Sequence, residues 1–413
     1  MTNEETHSIG APSNARFSEL RYDPIADRWA IIAEERGNRP FNAANVCACA
    51  TLRVDCDYDP ECPFCPGAEE QTTPTVEFVA VKERARRLPH ETLTVDDFEI
   101  VRGSTQDACQ SRRWFLRVVE NKFPILRMSD QLEAAELSDA FARFLTRESS
   151  CNCNELAFGR HEVIVDALRH CRGWAEMTSV EIKLAFRVFR SRLRAMRASD
   201  QFGYAFVFKN VGESAGASQP HTHCQLTANA SVPPELEAEL RRLDAYERAR
   251  RARGDLQTYW SALVSNELKN GLRVGLDTER FLAYCPYASR FPMLVEICPK
   301  FDGPFEEYAD PELDELALLA RKLVALLQRA KTIYVPTDPR ALDYNVYLRN
   351  APYRAATSFR DALRAFRPRW VIVPTLVKKA GYELGCGLDV NPVSPETAAA
   401  RLRNVLECAS EGD

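Results

Sequence analysis

No stretch of the chain approaches the roughly 20 consecutive apolar residues that a membrane-spanning helix requires, and residues 1–17 are polar, without the apolar segment of a secretory signal. A cytoplasmic protein is the expectation. A basic excess is missing as well: 54 Lys and Arg stand against 59 Asp and Glu, mixed along the chain, for a net charge of −5. That balance leaves no positive field to draw in nucleic acid, although a few local arginines and backbone amides suffice for a small phosphorylated ligand. Histidine is scarce, with six in 413 residues and none after His223, so imidazole chemistry is confined to the part of the chain that precedes it.

Cysteine, by contrast, is plentiful at 14. In a small secreted chain that number would read as disulfides. In a chain of this length with no signal it reads as reduced thiols, some of them metal ligands.

The length suits one large core or two domains. RYDPIADRWAIIAEER alternates polar and apolar residues around an Asp-Pro turn signal and predicts a β-hairpin leading into the segment 36–40. Residues 114–120 and 161–166 read as strands, and 178–199 as a helix with apolar residues at three and four spacing. YAFVFKN, a glycine-rich turn and the strand-like HTHCQLTA follow. The second half repeats this order: NKFPIL is matched by SRFPML and YAFVFKN by YNVYLRN, with a Leu- and Ala-rich helix over 311–331 and a further strand in RWVIVPTL. The expected fold is α+β, with two related halves, each an antiparallel sheet carrying a long helix. Their bounds are a tail at 1–17, a first half at 18–232, a connecting surface helix at 233–258 whose charge run reads as a solvated face, and a second half at 259–413.

The most informative stretch is FKNVGESAGASQPHTHCQ, residues 208–225. On a predicted strand His221 and His223 project from the same face, so both imidazoles reach one small site. Gly212, Gly216 and Ser218 precede them in a flexible turn whose backbone N–H groups can approach phosphate oxygens. An isolated H-x-H also fits a turn cap beside an ordinary buried histidine; the surroundings favour phosphorus chemistry. Cys62 and Cys65 form the C-x-x-C of CPFCPG, a spacing that positions two thiolates for tetrahedral zinc. A redox pair, or ligation by Cys47, Cys49 and Cys56, are the alternatives.

LRYDPIADRWAIIAEERGNRP, CPFCPG, ENKFP, GRHEVIVDALRH, FKNVGESAGASQPHTHCQ and GYELGCGLDVNPVSPETAAARLR, in this order and spacing, resemble the galactose-1-phosphate uridylyltransferase family, a branch of the histidine-triad superfamily. The resemblance covers nearly the whole chain. It implies that the two histidine-triad-like halves merge into one large half-barrel sheet, and that one structural zinc is held by Cys62, Cys65, His170 and His221, with His161 as the competing ligand. It further implies that His223 is the nucleophile of a double displacement, with Gln225 bonding the nucleotide phosphate. Asn121, Asn210, Gly216 and Ser218 are implied to hold phosphate or ribose, and Arg36 and Arg39 to bind the nucleotide. Tyr382 and Glu383 are implied to reach the site of a partner chain in a homodimer.

The family's uridylyltransferases usually show H-P-H-G-Q where this chain reads His221-Thr222-His223-Cys224-Gln225, and Arg367 and Arg369 stand where the family often has a second histidine pair. A guanidinium stays protonated and offers no lone pair to a metal, so a second metal site is not expected. The resemblance implies transfer between UDP-glucose and a hexose 1-phosphate. An ADP-sugar or dinucleoside polyphosphate phosphorylase is the second reading, and a non-catalytic nucleotide-sugar sensor the third.

Overall fold

Alternation along YAFVFKNV buries Ala205, Val207, Lys209 and Val211 on one face and leaves Phe206, Phe208 and Asn210 half-buried on the other, which makes this segment a strand with two distinct faces. The same device recurs across a computed structural model that describes residues 19–32 except 26, 57–102 except 88, 90 and 91, 114–128, 158–354 except 337 and 339, and 359–410. Arg36, Arg39, Cys47, Cys49 and Cys56 lie outside the described residues.

Fourteen strands are present among the described residues: β1 (Glu19–Asp23), β2 (Arg28–Ile32), β3 (Thr75–Val81), β4 (Phe98–Arg102), β5 (Trp114–Glu120), β6 (Gly159–Val165), β7 (Tyr204–Val211), β8 (His223–Asn229), β9 (Val274–Asp277), β10 (Phe281–Tyr284), β11 (Val295–Pro299), β12 (Tyr344–Arg349), β13 (Arg369–Pro374) and β14 (Asp389–Asn391). The hairpin β1–β2 pairs with β14 in a small sheet. The other eleven form one open antiparallel sheet in the order β4-β3-β5-β6-β8-β7-β12-β13-β11-β10-β9. Read outward from the central pair β7–β12, the order β8, β6, β5 on one side is matched by β13, β11, β10 on the other. The two halves that repeat in the sequence therefore join edge to edge, and the repeated segments YAFVFKN and YNVYLRN are the strands that meet.

Each half carries a long helix on the same face of the sheet. Ser179–Ala198 links β6 to β7 and starts at Thr178, whose hydroxyl accepts from the Glu181 backbone while Glu181 bonds back. Asp310–Tyr334 links β11 to β12, and the two helices pack together. Trp370 of β13 is the meeting point of the layers, with ring centroids 5.0 Å from Phe186, 5.7 Å from Trp174 and 5.8 Å from Phe189. No helix among the described residues is long and apolar enough to cross a membrane.

Two sequence expectations change. The strand begins at His223, so His221 sits in the turn before it rather than on a shared strand face. The helix Pro234–Ala252 is not merely a solvated connector: Leu236, Leu240 and Leu243 are buried, and Glu239 of its charge run bonds Arg349 at 2.8 Å and Arg369 at 2.9 Å. Because the helix packs over strands that supply arginines, a carboxylate on its inner face is paired instead of hydrated.

Candidate functional site

The register Val165↔His223, Val163↔Gln225 and His161↔Thr227 sets β6 and β8 so that His161, Gln225 and His223 share one face of the sheet. The intervening Ile164, Cys224, Leu226 and Ala228 point into the core beneath the helices. Ahead of β8, Gly212 and Gly216 have φ of +85° and +82°. A Cβ at Gly212 would overlap the Asp343 carboxylate, whereas at Gly216 a Cβ would meet nothing and the left-handed backbone alone favours glycine. Ser218 is exposed in the same turn.

The turn delivers His221 to Cys62 and Cys65. His221 Nδ1 lies 3.6 Å from Cys62 Sγ and 3.5 Å from Cys65 Sγ, and His170 Nδ1 lies 3.4 Å from Cys65 Sγ. All four ligand atoms fall within 4.8 Å of one another and all four residues are buried. Zinc at tetrahedral geometry, with metal–sulfur and metal–nitrogen bonds of about 2.3 and 2.0–2.1 Å, sets its sulfur and nitrogen ligands ~3.6 Å apart. The cluster fits that requirement. His221 Nε2 lies 3.0 Å from the Ala167 carbonyl; an Nε2 hydrogen donated there leaves the Nδ1 lone pair facing the sulfurs. Backbone N–H groups of Phe64 and Asp59 donate to the two sulfurs at 3.4 Å each, as suits thiolates. Without a cation, burial pushes the Cys65 thiol up to about 12 and the His221 imidazole down to about 4. Four protein donors complete a tetrahedral set, the pattern of a structural rather than a catalytic zinc site. His161 is not among them.

His223 faces the other way. Its Nδ1 is 2.8 Å from the carbonyl of His221, which can only accept, so Nδ1 carries the hydrogen and Nε2 the lone pair. Burial, followed by the charge of Lys209, lowers its pKa and keeps the ring neutral. Phe64, from the C-x-x-C turn, lies against both rings, with centroids 5.2 Å from His223 and 6.2 Å from His221.

Beneath β8, on the core face, lies a group that the sequence does not reveal. Lys209 Nζ donates to Asp166 Oδ2 at 2.7 Å, to Thr222 Oγ1 at 2.8 Å and to the His223 carbonyl at 2.8 Å. Thr222 Oγ1 and Cys224 Sγ also donate to Asp166 Oδ2, at 3.3 and 3.4 Å. The two positions at which this chain departs from H-P-H-G-Q thus bond the same carboxylate, which neither proline nor glycine can do.

The polar residues expected around the nucleotide divide into three groups. Gln225 and Asn121 lie against His161: His161 Nε2 is 2.8 Å from Gln225 Oε1 and 3.1 Å from Asn121 Nδ2. Asn210 accepts from Asn345 Nδ2 at 2.9 Å, and that amide also donates to the Ala215 carbonyl at 2.8 Å, pinning the glycine turn to β12. Tyr382 and Glu383 lie on the short helix Gly381–Cys386, where Glu383 caps its own helix at Ala380 N and Tyr382 is 53% exposed. Among the described residues they form no bond with the histidine group.

In the second half, Arg367 bonds Asp302 at 2.9 Å and Ser261 at 2.7 Å, and Arg369 bonds Glu239 while lying 3.9 Å over the Trp260 ring. A cavity of about 480 Å³ opens there, with Trp260, Tyr284, Glu296 and Arg369 in its wall and none of the histidine cluster. None of the described histidines faces this cavity.

The family model for the galactose-1-phosphate uridyl transferase N-terminal domain matches residues 117–233, the segment that holds His161, His170, His221 and His223. An ADP-glucose phosphorylase from Arabidopsis thaliana is 26% identical over 94% of this chain and 93% of its own length. A galactose-1-phosphate uridylyltransferase from Haemophilus influenzae is 24% identical over 94% of each chain. The crystal structure of an Arabidopsis thaliana ADP-glucose phosphorylase with bound ADP-glucose matches with a TM-score of 0.66 at 25% identity, covering 94% of this chain and 98% of that one. The paired half-sheets, the Cys/His cluster and the H-x-H segment thus stand in a chain that is similar along nearly its whole length to enzymes that transfer nucleotidyl groups, and whose residues 117–233 match the galactose-1-phosphate uridyl transferase N-terminal domain.

Proposed function

We propose that the chain moves a nucleoside monophosphate from a nucleotide sugar to a phosphate-bearing acceptor through a covalent intermediate on His223. The observation that carries this is the hydrogen bond from His223 Nδ1 to the His221 carbonyl, which leaves a neutral imidazole with its Nε2 lone pair free to attack. Nε2 attacks the α-phosphorus; a P–N bond forms, the bridging P–O bond breaks, and sugar 1-phosphate leaves. An acceptor phosphate oxygen then attacks the same phosphorus, and the P–N bond breaks to restore His223. Cys62, Cys65, His170 and His221 would hold one zinc, whose part is to fix the turn that positions the nucleophile.

For the donor we favour an ADP-sugar with inorganic phosphate as acceptor. Support comes from the likeness to the Arabidopsis thaliana ADP-glucose phosphorylase, together with Thr222 and Cys224 standing where the family's uridylyltransferases usually have proline and glycine. UDP-glucose with a hexose 1-phosphate is the second reading, favoured by similarity to uridylyltransferases along 94% of the chain. A homodimer completed by the exposed Tyr382 is part of this reading, and sedimentation of the active protein as a monomer would remove it.

The test offers ADP-glucose or UDP-glucose, each with phosphate or galactose 1-phosphate, and identifies the products. Glucose 1-phosphate and ADP, formed only with the adenine donor and phosphate, are the expected outcome. UDP-galactose as the dominant product selects the second reading. Base-labelled donor without acceptor should leave the nucleotide on the protein, and His223→Gly should prevent it; an adduct that survives this change places the nucleophile elsewhere.

A further inference from the structure

The spacing that leaves His161 as a rival zinc ligand gives no hint of the neighbours it has in the fold. We propose that His161 is a positioning residue: it commits the side-chain oxygen of Gln225 to the protein interior so that Gln225 and Asn121 present a matched pair of N–H donors to the phosphate of the bound nucleotide. This rests on nucleotidyl transfer through His223.

His161 is 5% exposed and sits on β6 beside β8. The backbone N–H of Ile125 donates to its Nδ1 at 3.2 Å. A neutral imidazole has one ring hydrogen, so with Nδ1 accepting, Nε2 must carry it. Burial lowers the pKa of this ring and keeps it neutral, as the pattern requires. Among the described residues the Nε2 hydrogen has one acceptor in reach, Gln225 Oε1 at 2.8 Å. The oxygen of Gln225 is thereby held against β6, and its amino group is turned the opposite way.

Asn121 reaches the same state by another route. Its Oδ1 accepts the Phe123 N–H at 2.8 Å, which leaves Nδ2 3.1 Å from the protonated Nε2 of His161. Two donors cannot bond each other, so the Asn121 hydrogens point past the ring. Both carboxamides then have their oxygens committed, and among the described residues their NH₂ groups have no acceptor. Gln225 is two residues from His223 on the same face of β8, so the donors stand beside the nucleophile. An untethered carboxamide presents oxygen or nitrogen by a half-turn about its last bond, and oxygen toward a phosphate would repel it. Fixing the donor end is the kind of preorganisation that stabilises charge developing on a transferring phosphoryl group.

The test uses the full-length enzyme and two substitutions that divide the imidazole. His161→Gln places an amide nitrogen near the position of Nε2 and keeps a donor for Gln225. His161→Asn places its nitrogen near the position of Nδ1 and leaves Gln225 without one. Formation of the labelled adduct on His223 is followed in single turnover with ADP-glucose and with UDP-glucose, alongside kcat, KM, zinc content and thermal midpoint. His161→Asn should slow adduct formation by about 10–100-fold with the loss in kcat rather than KM, zinc content and midpoint should hold, and His161→Gln should restore most of the rate. Adding Gln225→Ala to His161→Asn should cost little more, because the two act as one unit.

Wild-type rates in His161→Asn, equal losses in both substitutions, or full additivity with Gln225→Ala would each overturn the proposal while leaving His223 as nucleophile. A wild-type enzyme that forms no adduct with either donor removes the reading beneath it instead.

Discussion

His223 holds its tautomer through the backbone of His221: the Nδ1 hydrogen of one residue rests on the carbonyl of the other at 2.8 Å, while the side chain of His221 turns to Cys62 and Cys65. The proposed metal ligand and the proposed nucleophile therefore share one carbonyl. Whatever fixes the position of His221 also fixes the direction of the His223 lone pair.

Metal loading should accordingly set stability and transfer together. Cys62→Ser removes one of four buried donors, and its thermal midpoint and rate of adduct formation should both fall. Chelation of the wild-type protein should reproduce the loss, and added zinc should reverse it. Elemental analysis of protein purified without added metal is expected to give one zinc per chain. A count near two would contradict this set and turn attention to Cys47, Cys49 and Cys56.

The fold was readable in sequence because the pattern repeats: YAFVFKN and YNVYLRN alternate in the same way and become neighbours at the centre of the sheet. Pairings carried by residues far apart were not readable. Glu239 belongs to a charge run that looks solvated, and its partners Arg349 and Arg369 arrive 110 and 130 positions later. His161 illustrates the same limit, since spacing shows that it starts a strand but not that Ile125 and Gln225 occupy its two nitrogens. The H-x-H pair is legible in sequence as a candidate site but not in its geometry, because the bend that separates the two imidazoles lies within the motif itself.

Lys209 is 1% exposed and Asp166 is fully buried, and their contact lies directly beneath the strand that carries His223. Removing one partner of such a pair strands the other charge in the core. Lys209→Met should lower stability by about 3–5 kcal/mol, measured by chemical denaturation, whereas Lys209→Met combined with Asp166→Leu should recover a large part of it. Thr222 and the His223 carbonyl lose their shared donor in both variants, so adduct formation should stay slow even where stability returns. A double variant as unstable as the single one would show that the charge left behind is not the cause.

Acid should weaken the protein partly through His161. Burial depresses the folded pKa of its imidazole below the ordinary value, so between the folded and unfolded values the unfolded chain binds more protons than the native one. By linkage, stability rises with pH across that window. The contribution is fully present above the unfolded value near 6.5 and is lost as pH falls toward the folded one. Denaturation of wild type and His161→Gln at pH 7.5 and pH 5.5 isolates this group, because glutamine does not titrate and every other ionisable side chain is common to both. Wild type should lose more stability than the variant over that interval. Equal losses would mean that His161 takes up its proton in the native protein as readily as in the unfolded chain, and that the bond from Ile125 to Nδ1 does not hold the ring neutral.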